Sequence, residues 1–505
     1  MHYCEWTTLQ ESRSGVPPAG VPDDLCELTL GEAAALIRHR MITSRQLVEA
    51  CLHRVSSNTH LNAFISVDAA AALHSADAYD RYLMGGGEPL ALGGVPIAVK
   101  DNIQVIGFAN TAGTRALGDF LPKTHAAVVE PLLAAGAIVL GKNNMHELAF
   151  GTSGYNTAFH SPGVIGVRNA FDPRRIAGGS SSGGGSSVGA RLVPAALGTD
   201  TGGSVRHPAA LNGCVGFRPT VGRYSRQGIV PLSPTRDTPG PITRSVDDVI
   251  LIDSILTGTQ PAPPPAAETL RLGLLKEFWG DVSEPVLQVA RAALEKLQLS
   301  GVELVWVSLP EIFTLNHAIS MPVVLHECRA ALSEYLQENG SGVTFDALVA
   351  GISSPDVRAI FERYIVPGQL GERDGNPIDL EQAYVQAMQH LRPQLIDKLT
   401  ALFAAHRLHA LVHPTTPDLA LTSEPQATSF DAFARMIRNA DPASNAGMPG
   451  ISLPAGLAPD EGLPVGLEFE GLPGSDSQLL ALAAVMQGIL GRAPSPVHFV
   501  GPATE

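Results

Sequence analysis

The chain has 505 residues, 45% hydrophobic and 16% charged, with 51 Gly, 39 Pro and a formal net charge of −15. That balance supplies a large core and excludes a disordered chain. The acidic surface leaves no electrostatic footprint for nucleic acid and disfavours an anionic membrane.

Residues 1–27 read as a polar, Pro-containing arm without the basic and apolar regions of a signal peptide. Helices are predicted at 28–38 and 43–55. The second opens with a Thr43/Gln46 capping box and carries Leu47, Ala50, Cys51 and Val55 on one face. The run 95–100 reads as a buried strand ending at Lys100-Asp101-Asn102, 126–135 as a helix, 137–140 as a strand and 145–150 as a turn. Short strands alternating with helices predict an α/β fold: a large central mixed β-sheet covered by helices on both faces.

The Gly/Ser tract 178–189 has a linker's composition but lies in the densest apolar region, which argues for a built element. A composition shift at 257–269 divides the domain 28–505 into a core, 28–257, and a more variable half, 270–505, expected to complete the sheet. In that half helices are predicted at 285–299, 318–338, 380–405 and 476–490, a strand at 410–417 and a hairpin at 450–471. No apolar run reaches ~18 residues, the minimum for a spanning helix. The five scattered cysteines, Cys4, Cys26, Cys51, Cys214 and Cys328, form no CxxC pair and read as reduced thiols. The expectation is a cytoplasmic protein with no metal and no cofactor; a homodimer would be unsurprising.

The informative residues are Lys100, the tract GGSSSGGGSS at 178–187 and GTDTGGSVRHP at 198–208. A serine hydroxyl needs an adjacent base, a developing oxyanion needs fixed donors, and a departing nitrogen needs a proton. Glycines in Thr201-Gly202-Gly203-Ser204 let consecutive N–H groups converge on one point. Lys100 is one of six lysines in the chain and ends an apolar strand. Burial there lowers its pKa and lets a neutral amine accept a proton.

Other features carry less. Gly136-x4-Gly141-Lys142 resembles a phosphate loop, but Asn143 replaces Ser/Thr and the intervening residues read as strand. A nucleotide-binding module built on 136–142 is therefore disfavoured. His146-Glu147 begins a zinc motif that Phe150 breaks. His207 lies three residues beyond Ser204 without any established Ser–His arrangement. Cys214 reads as a structural thiol, and Asp247-Asp248 as a solvated turn or helix cap.

Lys100-Asp101-Asn102, Gly179-Ser180-Ser181 and the run 198–206 together resemble the amidase-signature family. The resemblance spans 28–495 and includes 145–151, 413–417, 450–456 and 462–467. It implies the amidase-signature fold, with Ser204 as nucleophile, Ser180 as a proton-relaying serine after a cis peptide, and Lys100 as base. It further implies an oxyanion hole from the N–H groups of Thr201, Gly202, Gly203 and Ser204, and supporting roles for Ser181, Asp200 and Arg206. The nearest members imply hydrolysis of a primary aryl-acetamide such as mandelamide to an acid and ammonia. Alternatives are indoleacetamide as substrate, or the glutaminase-like subunit of a tRNA-dependent amidotransferase. The chain departs from the pattern at His207, often aliphatic in the family, and at Gly184-Gly185. An apolar stripe of Phe433, Met436 and Ile437 is the candidate substrate-pocket wall, with a core role equally open.

Overall fold

The computed structural model describes residues 20–373 and 376–496. Residues 1–19 of the predicted arm lie outside them. Eleven strands form one mixed sheet: β1 Phe64–Val67, β2 Pro96–Lys100, β3 Ile138–Asn143, β4 Ala195–Asp200, β5 Val215–Arg218, β6 Thr238–Thr243, β7 Arg271–Leu275, β8 Glu303–Val307, β11 Ala410–Pro414, β12 Gly450–Leu457 and β13 Pro464–Glu470. A separate two-stranded ribbon pairs β9 Gln369–Arg373 with β10 Asn376–Asp379. The order in the large sheet is β1-β3-β2-β4-β6-β5-β12-β13-β11-β7-β8. Strands from before and after the 257–269 shift thus share one sheet. The contact between the two sets runs through β5 and β12, with Phe217 opposite Ile451.

Local rules explain much of this. Thr43 caps the helix Ser44–Ser57 in a full capping box with Gln46, and the helix buries Leu47, Val48 and Cys51. The predicted helix at 126–135 is shorter: turns lead into Glu130–Ala134, with Pro131 in the first helical turn. Asp248 is a buried carboxylate, not a solvated one. It accepts the N–H groups of Leu30 and Gly31 at 3.3 and 2.8 Å, and burial pushes its pKa up to about 6. It therefore caps the helix Leu30–Arg38 from across the chain.

The Gly/Ser tract is not a linker. It supplies the buried helix Ser182–Gly189. A Cβ at Gly183 would lie 2.2 Å from Ala63 O, and one at Gly185 2.5 Å from Pro208 O. The glycines let this helix pack directly against neighbouring backbone, and Gly185 is half of the Gly184-Gly185 departure.

The site follows from the pairing of β2, β4 and β6. β2 and β4 run parallel, with Val99 opposite Leu197, so Lys100 and the end of β4 emerge at the same edge. β6 runs antiparallel to β4, with Thr238 opposite Asp200, which brings Arg236 and Asp237 to that edge as well. The carboxyl ends of parallel strands are where α/β sheets place their ligands.

Candidate active site

Lys100 is 1% exposed. Its Nζ lies 2.8 Å from Ser180 Oγ and 2.8 Å from Thr199 Oγ1 in hydrogen-bonding geometry. Burial lowers its pKa from 10.5 to about 7, against the opposing charges of Asp200 and Asp237. The amine is thus poised between its two protonation states near neutrality.

Ser180 follows a cis peptide at Gly179–Ser180. Its neighbour Ser181 stitches two segments together. Ser181 N–H donates to Ser204 C=O at 3.1 Å, and Ser181 Oγ donates to Thr199 C=O at 3.0 Å. Lys100, Ser180, Ser181 and Ser204 are therefore brought to one place by β2, the start of the glycine-rich helix and the turn after β4.

That turn is shaped by Asp200. Its carboxylate accepts Gly203 N–H at 2.8 Å and Val205 N–H at 3.1 Å, while Arg206 and Arg218 donate from the side. Burial alone would raise the Asp200 pKa, but the two guanidinium groups hold it well below the usual carboxylate range. Since Gly203 N–H is engaged by Asp200, the expected set of oxyanion donors narrows to Thr201, Gly202 and Ser204. Gly203 has φ +114°, and a Cβ there would lie 2.2 Å from the His207 ring. His207 is fully buried beneath this glycine, and neither ring nitrogen has a hydrogen-bond partner among the described residues. Burial, then the neighbouring Arg206 charge, lowers its pKa to about 4. It is a neutral packing group and no partner to Ser204.

Arg206 is also fully buried. It pairs with Asp200 and Glu468, donates to Ser444 Oγ at 2.7 Å and to Ala440 C=O at 3.1 Å, and approaches Glu470 at 3.6 Å. His413, Glu468 and Glu470 group together at the same place. The Arg206 guanidinium already supplies their countercharge, and a divalent cation there would meet a fixed positive group.

A cavity of ≈ 270 Å³ opens over Thr201, Gly202 and Ser204. Its walls are largely apolar and include Phe150, Leu232, Val324, Ile360, Phe430, Phe433 and Ile437. Polar groups on the wall include His146, Arg236, Asp356 and Asp441. Such a lining, apolar with a few placed polar groups, suits a small molecule. Met436 departs from the predicted stripe. It is 4% exposed and packs with Ile176, Leu211, Ala420 and Ala427, outside the cavity lining.

Several site residues escaped sequence reasoning. Thr199 holds Lys100 yet looks like any strand residue, although it lies between two motif residues. Asp237 accepts Thr201 Oγ1 at 2.6 Å and belongs to no recognisable pattern. His146 and Asp356 are 3.0 Å apart across 210 residues of sequence.

The decoys fall away on structure. Lys142 is buried in β3, 3.5 Å from Asp101 and 3.0 Å from Asn110 Oδ1, so residues 136–142 form no phosphate cradle. Glu147 accepts the N–H groups of Ser353 and Ser354. Cys214 is buried, and its thiol is pushed up to about 12 by that burial.

The family model described as Amidase matches residues 46–480. The chain is 69% identical over 477 residues to mandelamide hydrolase of Pseudomonas putida, covering 94% of each. It is 38% identical over 474 residues to indoleacetamide hydrolase of Rhizobium radiobacter, covering 92% of this chain and 97% of that one. The crystal structure of native peptide amidase from Stenotrophomonas maltophilia superposes with TM-score 0.78 at 29% identity, covering 95% of this chain and all of that one.

Proposed function

This chain belongs to the amidase family, and within that family we propose that it hydrolyses a primary aryl-acetamide of the mandelamide type to the carboxylic acid and ammonia. In this reading Ser204 Oγ attacks the amide carbonyl. Its proton passes to Ser180, whose own proton passes to Lys100 Nζ. The N–H groups of Thr201, Gly202 and Ser204 receive the oxyanion, and each such donor is worth about 3–4 kcal/mol in the transition state. Lys100 then returns the proton through Ser180 to the leaving nitrogen. Water resolves the acyl-enzyme by the same route reversed.

The observation that carries the reading is the buried Lys100 amine, at a pKa of about 7 and 2.8 Å from Ser180 Oγ. The likeness to mandelamide hydrolase over 94% of the chain supports the substrate class, as does the aromatic wall of Phe150, Phe430 and Phe433. Among the described residues no helix is long and apolar enough to cross a membrane. The unpaired Cys26, Cys51, Cys214 and Cys328 suit a reducing cytoplasm.

Ammonia release is to be measured across mandelamide, phenylacetamide, indoleacetamide, an aliphatic amide and glutamine. The aryl-acetamides should turn over fastest, and Ser204→Ala should abolish turnover. Preference for glutamine, or undiminished release by the Ser204 variant, would overturn the proposal.

A further inference from the structure

We infer that Asp356, oriented by His146, is a specificity-determining residue that accepts a hydrogen bond from a donor on the carbon next to the scissile carbonyl. The cavity thereby selects α-hydroxy aryl-acetamides over their unsubstituted counterparts. The inference rests on the aryl-acetamide reading above and adds to it the group that recognises the α-substituent.

The two residues arrive from distant parts of the chain. His146 follows β3 and is 1% exposed. Asp356 lies in the first turn of the helix Pro355–Ile360. Both border the cavity that holds Ser204. The peptide N–H of Gly154 donates to His146 Nδ1 at 3.3 Å, which makes Nδ1 an acceptor and puts the ring proton on Nε2. Nε2–H then donates to Asp356 Oδ2 at 3.0 Å. This engages one carboxylate oxygen and fixes the plane of the other. Asp356 Oδ1 accepts no hydrogen bond among the described residues, and the side chain remains 16% exposed on the cavity wall.

The other carboxylate of the lining is already engaged. Asp441 Oδ1 is held by Arg236, and its Oδ2 by Asn316 at 2.8 Å. Asp356 Oδ1 is therefore the charged acceptor that the wall leaves to a ligand. The pair is also tied to the reacting centre, because the peptide N–H of His146 donates to Ser180 C=O at 3.1 Å. The residue that sets the orientation of Asp356 is thus in register with the serine loop. An acceptor in a mostly apolar cavity discriminates, because an analogue lacking the donor leaves Oδ1 without that partner.

The test is kcat/KM for mandelamide and for phenylacetamide, in the wild type and in Asp356→Ala and Asp356→Asn. A hydrogen bond to a charged acceptor predicts that the mandelamide/phenylacetamide ratio falls about tenfold to a hundredfold in Asp356→Ala. The ratio is the readout, because general damage to the cavity lowers both rates together and leaves it unchanged. The isosteric Asn keeps an oxygen acceptor without the charge, and should lower the ratio by a smaller factor. An unchanged ratio in the Asn variant, or in the Ala variant, overturns the inference, and the Asn variant serves alone if the Ala protein does not fold. Failure of the wild type to cleave either amide would count against the aryl-acetamide reading itself, which keeps the two failures distinct.

Discussion

Replacing Lys100 with methionine probes the buried amine through stability as well as through activity. Burial lowers the Lys100 pKa from 10.5 to about 7. The unfolded chain keeps the ordinary value. Below a pH of about 7 the amine is protonated in both states, and folding bears the full net cost of about 5 kcal/mol, desolvation less the attraction of Asp200 and Asp237. Between about 7 and the unfolded value, the unfolded chain binds more protons than the folded one, so stability rises with pH. Methionine removes both the cost and this slope. It also forfeits the hydrogen bonds to Ser180 and Thr199, worth about 1 kcal/mol each. The expected outcome is a variant more stable than wild type by roughly 3 kcal/mol near pH 6, and nearly equal to it near pH 9. Urea unfolding at the two pH values measures the difference, and ammonia release should be lost at both. A stability difference that does not change with pH would refute the buried-amine argument. Retained amide turnover would refute Lys100 as the base.

Arg206→Met leaves Asp200 and Glu468 buried without their shared partner, and should cost about 3–5 kcal/mol in urea unfolding. Activity should fall with it, since Asp200 shapes the turn that carries Ser204. Met436→Ala should lose about 2–5 kcal/mol of stability while leaving KM for mandelamide unchanged, because Met436 is a core residue. Phe433→Ala should do the reverse, raising KM with little loss of stability, since Phe433 lies on the cavity wall and is only partly buried.

Elements with a strong local signature were legible in the sequence. The helix Ser44–Ser57 begins where its capping box says it should, the helix Asp476–Leu490 matches its predicted span, and the Gly/Pro-punctuated segment 450–471 forms the pair β12 and β13. Other strands gave no such sign. β6 reads Thr-Pro-Gly-Pro-Ile-Thr, and its two prolines cannot donate to a ladder. It is nevertheless a central strand between β4 and β5, held by partners distant in sequence. The stripe Phe433, Met436 and Ile437 shares one helical face, yet the helix Phe430–Ile437 lies between cavity and core. Packing divides that face between the two. Periodicity reports which residues leave water, and cannot report whether a pocket or a core receives them.

The sequence by itself determined the chemical vocabulary: a lysine ending an apolar strand, serines among glycines at a set spacing, and an Asp and an Arg flanking Ser204. Those identities are local and survive in a linear reading. Tertiary structure alone decided the state of each group. Lys100 is near neutrality because β2 lies between β3 and β4, away from water, and Asp200 stays ionised because Arg206 and Arg218 converge on it. Gly203 N–H is taken up by the same carboxylate. Asp356 lines the cavity and is bonded to a histidine 210 residues away. Protonation and hydrogen bonding depend on which groups exclude water from one another, and that is settled by strand order and packing across the whole chain.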